Sequence, residues 1–221
     1  MGNKRPVYVS GSILSGDFAA LGSSVRRLDE AGADMIHIDV MDGVFVDNIT
    51  IGIPVVAALR KETEKTFDVH LMTVGPDRYV SRFRDAGADI ITIHFESGCD
   101  VSKTLDLIAA SGAKPSLSVR PGTPVEELFP YLDRLYMALI MTVEPGFGGQ
   151  AFIPETLEKV RLLREEADRR GLDLKIEVDG GINDTTAQPA VDAGADVIVS
   201  GSWLFGGDTA RRVATIKGAA L

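Results

Sequence analysis

Ala31-Gly32-Ala33-Asp34, Ala86-Gly87-Ala88-Asp89 and Ala193-Gly194-Ala195-Asp196 are three copies of one tetrapeptide. Each stands where a stretch of helical periodicity gives way to a short run rich in Val and Ile. A glycine between small residues suits a helix exit that needs positive φ and a turn tucked tightly beneath the next strand. Ser111-Gly112-Ala113-Lys114 is a looser fourth copy. The repeat therefore reads as a helix-to-strand joint used several times in one architecture, and as structural, not catalytic.

Outward from these joints, eight apolar runs alternate with helix-like segments: Val7 to Ile13, Met35 to Val40, Thr66 to Met72, Ile90 to Phe95, Pro115 to Val119, Leu135 to Val143, Leu174 to Val178 and Val197 to Ser200. The runs are nearly continuous in apolar residues, as parallel strands covered on both faces should be. Pro154 to Arg170 is the clearest helix. Pro154 suits its first turn, Leu157, Val160, Leu162 and Leu163 form a stripe, and Gly171 suits its exit. Thr123-Pro124, followed by Glu126 and Glu127, reads as another helix entry. Special residues follow the second, third, sixth, seventh and eighth strands. An open doubly wound sheet would instead collect its ligand at one switch point, so a closed (β/α)₈ barrel, a TIM barrel of the α/β class, is expected. No linker or composition break interrupts the pattern, and residues 1–221 read as one catalytic barrel domain.

The chain has 221 residues, 45% hydrophobic and 25% charged, with a formal net charge of −9. An acidic surface argues against nucleic acid and anionic membrane as partners, so an anionic substrate would have to be captured by local backbone N–H groups and helix ends. Cys99 is the single cysteine, which excludes an intrachain disulfide. No apolar stretch reaches the roughly 18 residues of a membrane span. The opening Met1-Gly2-Asn3-Lys4-Arg5-Pro6 lacks a signal peptide's apolar core, and Pro6 stands where a myristoylation motif after Gly2 wants Ser or Thr. A cytoplasmic protein is expected.

His37, Asp39 and Met41 occupy alternate positions of the second strand and so share one face, the lumen in a barrel. The third strand ends in His70-Leu71-Met72 and the seventh in Asp179. Two histidines and two carboxylates at equivalent strand ends can converge on one divalent metal ion, although any one of them alone would sooner be a hydrogen-bonded core residue. His94 is assigned a supporting hydrogen bond or a core role and stays outside the ligand set. Asp42, pointing the other way into a glycine-containing loop, is read as a turn residue. Gly146-Phe147-Gly148-Gly149, Gly180-Gly181 and Gly201-Ser202 follow the sixth, seventh and eighth strands. Each is a weak signal, more often a turn, but loops after the last two strands of such barrels commonly hold phosphate. Together they point to a phosphorylated substrate.

At these residues the sequence resembles the ribulose-phosphate 3-epimerases. The resemblance runs through Ser12-Ile13-Leu14-Ser15, His37 to Gly43, His70-Leu71-Met72, Met141 to Gln150, Glu177 to Gly181 and Gly201-Ser202. It implies the family's barrel and a metal held by His37, Asp39, His70 and Asp179. It further implies a proton-transfer pair at Asp39 and Asp179, and substrate contacts at Ser12, His70, Gly146, Phe147, Gly148, Gly149, Gly180, Gly181, Gly201 and Ser202. Resembling proteins form homo-oligomers. Val44, Asp47, Arg120 and Trp203 stand where the family pattern differs, and bear on the shape of the substrate pocket.

The implied reaction, D-ribulose 5-phosphate to D-xylulose 5-phosphate, explains the residue types. Inverting carbon 3 of a ketose removes a weakly acidic proton and returns one to the opposite face, which takes two bases. A divalent cation (Zn, Fe, Mn or Co suit mixed His and carboxylate ligation) would polarise the carbonyl and stabilise an enediolate. Met41, Met72 and Met141 either pack against that planar species or simply fill core. Two other readings remain: an allulose 6-phosphate 3-epimerase, and a barrel that binds a sugar phosphate without turning it over. An orotidine-type decarboxylase would interleave lysine with aspartate, and His37 to Asp42 holds no lysine.

Overall fold

The computed structural model describes residues 5–218, so the leader and myristoylation readings at Met1 to Lys4 lie outside the described residues. Eight parallel strands close into a barrel in chain order, with β8 pairing back onto β1. They are β1 Tyr8–Ser12, β2 Met35–Met41, β3 Thr66–Met72, β4 Ile90–His94, β5 Lys114–Val119, β6 Met137–Met141, β7 Lys175–Asp179 and β8 Val197–Ser200. Around them run α1 Leu21–Glu30, α2 Ile53–Leu59, α3 Val80–Asp85, α4 Val101–Ala110, α5 Thr156–Arg169, α6 Ala187–Ala193, α7 Ser202–Phe205 and α8 Thr209–Gly218. The (β/α)₈ fold read from the sequence is the fold observed.

The tetrapeptide proves to be a stitch. Its glycines take φ of 82°, 110° and 115° at Gly32, Gly87 and Gly194. Its aspartates then tie each new strand to the one before it. Asp34 donates its N–H to Val9 O at 2.9 Å and accepts the Val9 N–H on Oδ2 at 2.8 Å. Asp89 makes the same pair of bonds with Phe67, and Asp196 with Ile176. The fourth copy has Lys114 in place of the carboxylate, and its ammonium sits 4.3 Å from the Tyr136 ring centroid instead.

Two details depart from the sequence reading. α5 starts at Thr156, two residues past Pro154, because Thr156 N–H and Oγ1 both bond Ile153 O in a preceding turn. The segment entered at Thr123-Pro124 is a 3₁₀ helix over Val125–Arg134 with Pro130 inside it. Thr123 does not cap it; its hydroxyl donates to Glu96 Oε1.

Most of the core lies between strands and helices, where outward-facing Val9, Ile36, Ile38, Val69, Leu71 and Ile176 meet helical residues such as Leu28, Leu105, Val160 and Leu163. The lumen is layered differently. At its N-terminal end Met35, Ile90, Met137 and Val197 form a plug with Tyr8 and Tyr136. Above the plug, Ser10, His37, Asp68, Thr92, Ser116 and Glu177 are all fully buried. A polar lumen layer costs stability unless its groups find partners, so it marks the end of the barrel where the chemistry belongs.

Candidate active site

The C-terminal mouth of the barrel holds a cavity lined by residues from the ends of β1, β2, β3, β6, β7 and β8. Ser12, Asp39, Met41, Met72, Met141, Asp179, Gly146, Phe147, Gly148, Gly149, Gly180, Gly181, Gly201 and Ser202 are all on its wall. His70, read from the family resemblance as a substrate contact as well as a ligand, is fully buried and is not part of that wall. It lies beneath, with His37.

One atom from each of His37, Asp39, His70 and Asp179 lies within 4.8 Å of the other three. His37 Nε2 is 3.2 Å from Asp39 Oδ1 and 3.8 Å from Asp179 Oδ2. His70 Nδ1 is 3.1 Å from Asp39 Oδ1 and 4.0 Å from Asp179 Oδ2. Despite these distances and its complete burial, His37 Nε2 makes no hydrogen bond. A buried nitrogen without a partner, close to two carboxylates and a second imidazole, makes these four residues a group that could hold a metal ion. Its other nitrogen, Nδ1, is 2.6 Å from Asp68 Oδ2, an acceptor that holds a proton there and leaves the Nε2 lone pair for a cation.

Electrostatics separates the two aspartates. Burial alone would raise the Asp39 carboxyl, but the charge of the nearby His37, together with the His70 contact, holds it far below the usual carboxylate range. Ser12 Oγ adds a hydrogen bond to Oδ2 at 2.8 Å. Asp179 is pushed up to about 6 by burial and then by the charge on Asp39. Burial tends to lower His37, yet Asp39 and Asp68 raise its pKa well above the ordinary histidine value.

Asp68 and Glu177, both fully buried, complete a second group with His37 below the first. Burial and the Asp68 charge push Glu177 well above the glutamate range, which favours its neutral acid; Asp68 Oδ1 and both Glu177 carboxyl oxygens are buried without a hydrogen-bond partner. Neither residue was singled out from the sequence. The signal was present: Asp68 stands two before His70 and Glu177 two before Asp179, so all four share the lumen face.

His94 is also in the cluster, with Nε2 2.8 Å from His70 Nε2 and Nδ1 3.2 Å from Glu96 Oε2. Burial lowers its pKa to about 4 against the pull of Glu96, so the ring is neutral. Asp42 takes the turn role, Oδ1 accepting from Val44 N and Phe45 N at 2.8 Å each and Oδ2 from Val74 N. Arg120 stacks on Phe45 at 4.2 Å and donates to Phe45 O, bracing the loop after β2. Trp203 packs against Arg212 at 5.1 Å, away from the cavity wall.

Glycine is required at two of the phosphate-loop positions. At Gly180 (φ 123°) a Cβ would lie 2.4 Å from Val143 Cγ2, and at Gly181 (φ 68°) 2.5 Å from Phe152 N.

Residues 8–205 match the sequence model of the ribulose-phosphate 3 epimerase family. A ribulose-phosphate 3-epimerase from Synechocystis is 50% identical over 203 residues, covering 91% of this chain and 88% of that protein. Its counterpart from Bacillus subtilis is 46% identical over 214 residues, 96% of this chain and 99% of that one. Among solved structures, thiamine phosphate pyrophosphorylase from Pyrococcus furiosus superposes with a TM-score of 0.65 over 99% of this chain and 96% of its own, at 19% identity, a likeness of fold alone.

Proposed function

The chain belongs to the ribulose-phosphate 3 epimerase family, and on that premise we propose that it inverts carbon 3 of a phosphorylated ketose, converting D-ribulose 5-phosphate to D-xylulose 5-phosphate. One observation carries the reading: Asp39 from β2 and Asp179 from β7 enter a single cavity from different strands, with opposed pKa shifts. A pair of carboxyl groups pushed apart in this way is what a proton-in, proton-out reaction needs, one ionised and one able to hold a proton.

His37, Asp39, His70 and Asp179 would hold one divalent cation, with Zn, Fe, Mn and Co all compatible with the donors. Such a cation supplies Lewis-acid polarisation of the ketose carbonyl. In one direction Asp39 takes the carbon 3 proton from one face while Asp179 delivers its own to the other. The reverse reaction exchanges the roles, and each turnover leaves the proton on the opposite carboxyl until exchange with water resets the pair. Met41, Met72 and Met141 line the reacting end with apolar, polarizable surface and keep water from the flattened intermediate. Gly180, Gly181, Gly201 and Ser202 present backbone at the far end, where N–H groups can receive phosphate despite the acidic surface. Gly146 to Gly149 close the side.

The same proposal includes homo-oligomeric assembly and a cytoplasmic location. Val44 and Ile49, 74% and 77% exposed on the loop after β2, offer apolar surface for a subunit contact. Among the described residues, no helix is long and apolar enough to cross a membrane.

The deciding experiment assays the purified protein with ribulose 5-phosphate, allulose 6-phosphate and unphosphorylated ribulose, before and after chelation. Preferred turnover of ribulose 5-phosphate, lost on chelation and restored by a divalent cation, is expected. Preference for allulose 6-phosphate would move the substrate to six carbons, and efficient turnover of the free sugar would overturn the phosphate assignment.

A further inference from the structure

The two histidines of the proposed metal group are braced from behind in different ways. His37 Nδ1 meets a carboxylate directly, at Asp68. His70 Nε2 meets another histidine, His94 Nε2 at 2.8 Å, and two imidazoles can bond only if one nitrogen carries a proton and the other does not. Which one does is decided one residue further out. His94 Nδ1 faces Glu96 Oε2 at 3.2 Å, and a carboxylate only accepts, so His94 carries its proton on Nδ1 and is bare at Nε2. Its bare Nε2 then takes the proton of His70 Nε2.

Glu96 itself is fixed in orientation. Its Oε1 accepts from the Arg120 backbone N–H at 2.9 Å and from the Thr123 hydroxyl. Lys159 Nζ in turn holds the carbonyl oxygens of Arg120, Pro121 and Thr123, so the loop carrying those donors is anchored to α5. His94 is fully buried, stacked on His70 at 5.0 Å and against Phe45 at 4.8 Å, and has no room to turn.

We propose that His94 and Glu96 are positioning residues that keep a proton on His70 Nε2, so that Nδ1 is the nitrogen His70 presents to a divalent cation. This rests on reading His70 as a ligand. Asp39 Oδ1, 3.1 Å from His70 Nδ1, competes for the His70 proton on that nitrogen. Without the relay, the His70 proton would settle on Nδ1 against Asp39 and block the site.

Glu96→Gln tests the direction of the relay with almost no change of shape. The Arg120 N–H can only donate, so the Gln oxygen must face it and the Gln amide must face His94 Nδ1. His94 then becomes bare at Nδ1 and protonated at Nε2, and His70 must give up its Nε2 proton. The chain has three histidines, so ¹⁵N-labelled imidazoles can be followed one by one in metal-free protein. In the wild type, His70 Nε2 and His94 Nδ1 should be protonated and His94 Nε2 bare; in Glu96→Gln all three should reverse. Zn²⁺ affinity, by competition with a chelator, should fall about 10- to 100-fold in the variant, the usual effect of losing a partner behind a ligand. A wild type with His70 Nε2 bare would overturn the proposal without any variant, as would a Glu96→Gln protein with unchanged protonation or unchanged Zn²⁺ affinity. If the protons reverse but the wild type binds no Zn²⁺ at all, the relay stands and the ligand reading fails.

Discussion

Asp39 and Asp179 are the same residue type at the ends of two strands of one barrel, yet the fold treats them as opposites. Asp39 is 4% exposed and is held by Ser12 and His70 and by the charge on His37, so its negative form is the stable one. The Asp179 side chain is 18% exposed, accepts no hydrogen bond among the described residues and is pushed up to about 6 by burial and by Asp39. The difference teaches that an acid and a base can be made from one residue type by partners alone. It also shows where the fold gives up stability for function, since an ionised Asp179 in metal-free protein is a buried charge left largely uncompensated.

Removing the cation site should erase the comparison altogether. His37→Ala takes away a fully buried ligand atom that has no hydrogen-bond partner, and both bound metal and turnover should fall to background. In the wild type, metal affinity should decline steadily as pH falls, because the cation must displace a proton that His37 holds more firmly than an ordinary histidine. Equilibrium dialysis across a pH series checks this; an affinity independent of pH would mean that the imidazoles are not ligands.

Asparagine at the two positions should shift metal-free stability in opposite directions. Asp39→Asn leaves a buried histidine pair without its anion and should cost about 3 to 5 kcal/mol, as breaking buried ion pairs does. Asp179→Asn should stabilise. The folded pKa of Asp179, about 6, lies above its unpaired value of 3.8, so its ionisation works against folding fully above about 6 and not at all below 3.8. The gain, at most about 3 kcal/mol, should be present at neutral pH and vanish as pH falls through that window. Urea unfolding of the metal-free proteins at several pH values reads both; losses of equal size at neutral pH would show that the aspartates are not differently held.

The smallest effect belongs to the phosphate end. A Cβ on Gly201 would lie 2.8 Å from Ser15 Oγ and 3.2 Å from Ser12 O, both at the cavity. Gly201→Ala should raise KM for the phosphorylated ketose by roughly tenfold, about 1.4 kcal/mol, with metal content unchanged. Equal KM values would place the phosphate elsewhere.

Much of this was legible beforehand. Parallel strands buried on both faces leave continuous apolar runs, and all eight observed strands begin within two residues of those runs' first residues, β6 at Met137 lying furthest off. Two-residue arithmetic along β2 put His37, Asp39 and Met41 on one face. The same arithmetic run backwards from His70 and Asp179 reaches Asp68 and Glu177, but nothing in a single strand says that the lumen layer below a site is polar. His94 was harder to place. Its contact with His70 depends on the stagger of β3 against β4, where His70 pairs with Thr92 and the His94 ring reaches back down to it. Thr123 looked like a helix entry because Thr-Pro usually is one; its hydroxyl went to the half-buried Glu96 carboxylate just past the end of β4 instead.

The central claim, that Asp39 and Asp179 each serve one face of the substrate, is tested most directly by exchange in heavy water. Asp39→Asn and Asp179→Asn proteins, each shown to carry its metal, are given each epimer separately while inversion and carbon 3 deuterium uptake are followed together. Net inversion should fall by about 10² to 10⁴ in both, the usual effect of losing one acid–base group. Each variant should still exchange the proton of one epimer without inverting it, and the epimer should differ between the two. Near-normal inversion by either metal-loaded variant would contradict the account.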